Sequence, residues 1–140
     1  MKLLTLSVAA AATAALPVIA QEMTMDYEDM IRTRDLTGEN VYTTNEAWDE
    51  GEWTDATWNE VDAGWNNIGE IEDVILNVDG EMVGIVAEVG GFLDIADKHV
   101  MLSADDFRII PMGDDDYAAV TRWNEEQLEG LEDVDQGWWN

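Results

Sequence analysis

From Ile68 to Thr121 the chain is dense in Val and Ile, and turn signals cut that density into short runs. Ile68 to Val78 is the first long run. Its apolar phase switches between Ile71 and Val74, which predicts a bulge or a sharp bend near Asp73. Asp79-Gly80 follows, the pair favoured in two-residue hairpin turns because both central positions need positive φ. Met82 to Val89 is the return strand, with Val83, Ile85, Ala87 and Val89 on one face. Gly90-Gly91 ends it, and Phe92-Leu93 is an apolar pair in a loop. Short strands are predicted at His99–Leu102, Phe107–Ile110 and Tyr117–Thr121, and an earlier one at Val41–Thr44. Asn124 to Gln127 carries a helix-capping pattern, after which Leu128 and Leu131 give a short helix one apolar stripe. Six short strands with regular turns point to a small all-β barrel or sandwich. Its expected core gathers Val83, Ile85 and Val89 with Phe107 and Ile109.

The first twenty residues follow a different pattern. Met1-Lys2 is a short positive start, Leu3 to Leu16 is apolar or small throughout, and Pro17 breaks the run before Val18-Ile19-Ala20. This is the layout of a secretory signal peptide cleaved after Ala20, which makes the mature protein periplasmic or secreted. The run is rich in Ala and Thr rather than Leu, which argues against a spanning anchor. Residues 21–35 read as a flexible lead-in, 36–131 as the domain and 132–140 as a tail.

Composition restricts the partners. The formal charge is −26, and loss of Lys2 with the signal peptide takes it to −27. Only Arg32, Arg34, Lys98, Arg108 and Arg122 then remain as cations, so neither nucleic acid nor an anionic membrane surface suits this chain. There is no cysteine, so the exported domain must hold together through its core alone.

Residues 69–110, GEIEDVILNVDGEMVGIVAEVGGFLDIADKHVMLSADDFRII, resemble the PRC-barrel family. The ordered features are a glycine opening a strand, an acid-Val-aliphatic segment, an Asp-Gly turn, a β-rich return strand and a Gly-Gly-Phe-Leu loop. A short strand before a small acidic turn closes the series. Residues 36–44 look like the family's first strand, and 120–131 like its closing strand with a Glu-Gln-Leu helix. The resemblance implies a small antiparallel barrel of about six strands with a short C-terminal helix. Related barrels occur in the photosynthetic reaction centre H subunit and in a ribosome maturation factor. The family shares a docking surface and no common catalytic residue. By that pattern the first two strands are joined by a short turn, whereas here residues 45–67 intervene. The resemblance therefore implies that a chain lacking residues 45–66 still folds.

That insertion sets Trp48, Trp53, Trp58 and Trp65 among at least seven acids. A spacing of five turns a helix by about 140° per step, so these rings do not share a helical face. They can fold back to extend the core, form a partner-binding surface or make a sugar-stacking platform. Trp138 and Trp139 add a second aromatic pair in the tail.

Catalytic material is thin. His99 is the single histidine and falls on a predicted strand, where a structural role is expected. Ser103 stands alone in a turn, so a Ser-His-Asp arrangement has no basis. Asp133-Val-Asp135-Gln-Gly137 starts like a calcium loop but lacks the closing Glu, and Asp114-Asp115-Asp116 reads as a solvated turn. No catalytic residue, cofactor or defined metal site is expected. Two functional classes remain. One is a non-catalytic docking module for an envelope protein, using the Trp residues. The other is an acidic, cation-buffering protein that binds divalent ions weakly and diffusely.

Overall fold

The computed structural model describes residues 27, 30–90 and 97–134. The expected signal peptide, the Phe92-Leu93 pair, Trp138-Trp139 and the end of the Asp133–Gly137 motif lie outside them. The chain divides into a unit of residues 1–30 and a unit of residues 31–140. All elements discussed below belong to the second.

Its six strands are β1 (Asn40–Thr43), β2 (Asn66–Leu76), β3 (Met82–Val89), β4 (Lys98–Ser103), β5 (Phe107–Pro111) and β6 (Tyr117–Thr121). Two short helices accompany them, α1 (Glu50–Asp55) and α2 (Glu125–Glu129). Every strand expected from the sequence is present, whereas α1 was not foreseen. The strands form one sheet in the order β4-β3-β2-β1-β6-β5.

The expectation of a wholly antiparallel barrel needs correction. β1 pairs with β6 in parallel, so the sheet is mixed, and β4 and β5 are its two edges rather than a closing pair. The cause is the link Ala104–Asp106, a single 3₁₀ turn between β4 and β5. With the other neighbours antiparallel, β4 and β5 carry the same sense, and β6 returns alongside β1 in β1's direction.

The sheet wraps one core drawn from every strand. Val41, Ile68, Ile71, Ile85, Ala87, Val89, Val100, Leu102, Phe107 and Ala119 are buried together, with Leu36 before β1 and Leu128 from α2 closing it. Ile109 packs against this group half-buried. Val83 does not join it and is 38% exposed. A register shift places Ile75 opposite Gly84 and Leu76 opposite Met82, so Val83 is an extra, unpaired residue. Past that point β3 has no β4 partner, because the β3–β4 pairing ends at Gly84 and Ser103. The bulge expected near Asp73 is present: the register shifts between Ile71 and Asp73, leaving Glu72 as the extra residue.

The hairpin turn is longer than Asp79-Gly80 alone. Asn77 and Glu81 close it, and only Gly80 takes positive φ, at 87°. The Asn77 side chain accepts hydrogen bonds from the backbone N–H groups of Asp79 and Glu81, at 3.0 and 2.9 Å. That side-chain turn removes the need for a second left-handed residue. Gly69 meets a different demand. A Cβ there would stand 1.8 Å from the Glu88 carbonyl oxygen, so the close approach of β2 to β3 admits only glycine.

Buried polar groups at the β1–β6 seam are paired. Thr43 Oγ1 donates to the Trp123 carbonyl at 2.6 Å, and Thr121 Oγ1 donates to the Asp106 carbonyl at 3.0 Å. α2 begins with the capping box foreseen from Asn124 and Gln127. At its other end Lys98 Nζ donates to the carbonyls of Glu129 and Leu131, giving a helix C-terminus its favoured positive charge.

The fold displaces the pKa values of two carboxylates in opposite directions. A hydrogen bond from Arg32, together with its charge, holds Asp35 below the usual carboxylate range, so that pair's contribution is lost as pH falls. Burial pushes Glu39 up, with the Asp116 charge adding to it, so protonating Glu39 at low pH favours the fold.

A tryptophan layer and an arginine cleft

Strands β5 and β6 are apolar on both faces. Phe107, Ile109 and Ala119 turn towards the main core, while Ile110 and Val120 belong to a separate buried group with Trp53. A strand pair of this kind needs a cover on its second side, and the insertion after β1 supplies it. Asp49 caps α1 by accepting from the Glu52 N–H at 2.8 Å, and Glu50 and Glu52 add charges suited to a helix N-terminus. The short helix that follows sets Trp53 against Ile110 and Val120.

Trp53 is 2% exposed. Its indole Nε1 donates to the Asp105 carbonyl at 2.8 Å, and the Arg108 guanidinium lies 5.0 Å from its ring centroid. Around it Trp48, Trp58 and Trp65 are half-buried. Ring centroids lie 6.1 Å apart for Trp48–Trp53, 5.2 Å for Trp53–Trp58, 5.6 Å for Trp48–Trp58 and 5.5 Å for Trp58–Trp65. Most of these pairs meet edge to face, the arrangement the ring quadrupole favours. Trp48 Nε1 donates to Thr44 Oγ1 at 2.8 Å, tying the outer edge of the layer to the end of β1.

The four insertion residues singled out in the sequence therefore meet at one place, in two different roles. Trp53 is an anchor within the fold and is not available as a surface. The other three each keep a partly exposed ring. Removal of residues 45–66 would reach beyond a surface loop. It would take away the first residue of β2, uncover Ile110 and Val120, and delete Asn45, whose side chain accepts from the Glu125 N–H at 3.2 Å.

Beside the layer lies a cleft of about 490 Å³ lined by Glu50, Trp53, Thr54, Ser103, Asp105, Asp106, Arg108 and Arg122. Arg122 is held at its rim by Asp106, 2.7 Å from Nε to Oδ1, and stacks 4.3 Å from the Trp123 centroid. Two of the chain's six basic residues thus converge on one opening. Their scarcity was visible in the sequence; their meeting depends on β5, β6 and the turn before β5 coming together. Ser103 lies in this cleft, while His99 is on β4 and does not line it.

No curated protein matches the chain. A family model for the PRC-barrel domain matches residues 58–123, a span that runs from the last part of the insertion through β2 to β6. The strands β2 to β6 of the six-stranded mixed sheet fall within that match, and residues 58–123 carry a PRC-barrel domain.

Proposed function

We propose that this chain is a non-catalytic docking module that works outside the cytoplasm, in the bacterial envelope. The observation that carries the reading is the tryptophan layer: one ring anchored in the fold and three half-exposed rings gathered over it, next to an arginine-bearing cleft. Trp and Arg are enriched at the energetic centres of interfaces, the indole because it buries a large rigid area and the guanidinium because it offers several donors on a planar face. A net charge of −26 favours a partner that presents a basic surface and speeds its approach.

A pull-down from envelope extract tests this with the double variant Trp48→Ser/Trp65→Ser, which leaves Trp53 in place. A wild-type melting profile confirms that the variant is folded. Capture of the partner should fall at least about tenfold, the scale of losing one hot-spot residue. Undiminished capture by the folded variant sinks the reading. A chain ending at Val134 measures what the Trp138-Trp139 tail adds.

The location rests on the signal-peptide layout of residues 1–20. Intact-mass measurement on protein recovered from the soluble extracytoplasmic fraction should give a chain starting at Gln21. A full-length mass in the membrane pellet would contradict export and point to an anchored form.

A further inference from the structure

At the other end of the strand order from the tryptophan layer, β2, β3 and β4 bring the chain's single histidine up to two carboxylates. Glu88 and His99 are direct partners across β3 and β4, and Glu88 Oε2 lies 3.3 Å from His99 Nε2. On the other flank the bulge in β2 makes Glu72 the extra residue between the Ile71–Ala87 and Asp73–Val86 pairs. One donor atom each from Glu72, Glu88 and His99 then falls within 4.8 Å of the others, and all three residues are half-buried.

We infer that Glu72, Glu88 and His99 bind one divalent transition-metal ion of the zinc class. An ion bound to nitrogen and oxygen at about 2.0–2.2 Å in tetrahedral array sets its donors roughly 3.3–3.6 Å apart. The Glu88–His99 contact already has that spacing, and Glu72 offers a carboxylate oxygen within 4.8 Å of both. Three protein donors leave a fourth position for water. The imidazole decides the class of ion: calcium and magnesium take oxygen ligands in larger number, whereas zinc, copper and nickel suit a nitrogen donor.

Charge favours occupancy too. Glu88 faces Glu70 directly across β2 and β3, with Glu72 beside it, and like charges so placed repel. A bound cation relieves that repulsion. The donors stand on three hydrogen-bonded strands, so little order has to be created on binding. This inference is independent of the docking reading and shares no residue with the tryptophan layer.

Titrating an untagged full chain with Zn²⁺ in physiological salt tests it, following heat and the NMR signals of His99, the one imidazole present. Binding should saturate at one ion per chain, with the His99 signals shifting along the same curve. Glu72→Gln, Glu88→Gln and His99→Gln should each weaken it at least about tenfold, the scale seen even for outer-shell groups. Asp114→Asn, which removes the same charge from the β5–β6 turn, should leave it unchanged. Calcium, or added sodium, should not displace the ion. Equal affinity in any of the three site variants overturns the proposal, as does binding that leaves the His99 signals unmoved. Loss of binding through sodium screening alone would instead show a diffuse acidic surface, and would overturn it too.

Discussion

Replacing Trp53 by Ala should destabilise the domain by about 3–5 kcal/mol, the range for truncating a buried tryptophan. Three losses add up in that figure. The ring is 2% exposed, so its removal leaves a cavity above Ile110 and Val120. The Asp105 carbonyl loses the indole N–H at 2.8 Å, and Arg108 loses the ring face it lies over. Trp48 and Trp58 lose their central neighbour as well. Small domains are stable by only about 5–15 kcal/mol, so the variant should melt many degrees lower. Urea denaturation measures the change. A cost below about 1 kcal/mol would mean that the layer is a loose surface loop and that the second core is not real.

The other large effect belongs to the main core. Ile85→Ala should cost about 2–5 kcal/mol, because Ile85 is fully buried among residues of neighbouring strands. Val83→Ala, two residues earlier on the same strand, should be nearly neutral, since Val83 is 38% exposed and sits in a bulge without a β4 partner. The contrast is sharper than either value alone. Strand alternation by itself assigns both residues to one face and predicts similar costs. Denaturation of the two variants side by side distinguishes the regular strand from the bulged one, and equal losses would place the register shift elsewhere.

Both experiments bear on how function is divided within the molecule. The Trp53 variant weakens the support of the proposed docking surface, whereas Trp48→Ser/Trp65→Ser alters the surface with that support intact. Loss of partner capture in the second but not of folding separates recognition from stability. The zinc titration reports on the far end of the sheet and is indifferent to both.

Local sequence determined the strands. A run of Val and Ile between turn residues has few alternatives once strand periodicity and the hairpin signal agree, so β1 to β6 fall where the pattern places them. The β2 bulge was legible for the same reason, as a break in apolar phase between Ile71 and Val74. The capping box of α2 is written in Asn124 and Gln127. The parallel pairing of β1 with β6 was not legible, because it depends on whether the Ala104–Asp106 turn reverses the chain, and three residues of 3₁₀ turn do not announce that. Nor could helical spacing show that Trp48, Trp53, Trp58 and Trp65 meet. Only residues 50–55 are helical, and the irregular backbone around them carries the other rings onto a face of β5–β6 that is apolar for its own reasons. Glu72, Glu88 and His99 lie on three strands, 16 and 11 positions apart in the chain. Sequence supplied one histidine among thirty-two acids; strand register alone chose which two stand beside it.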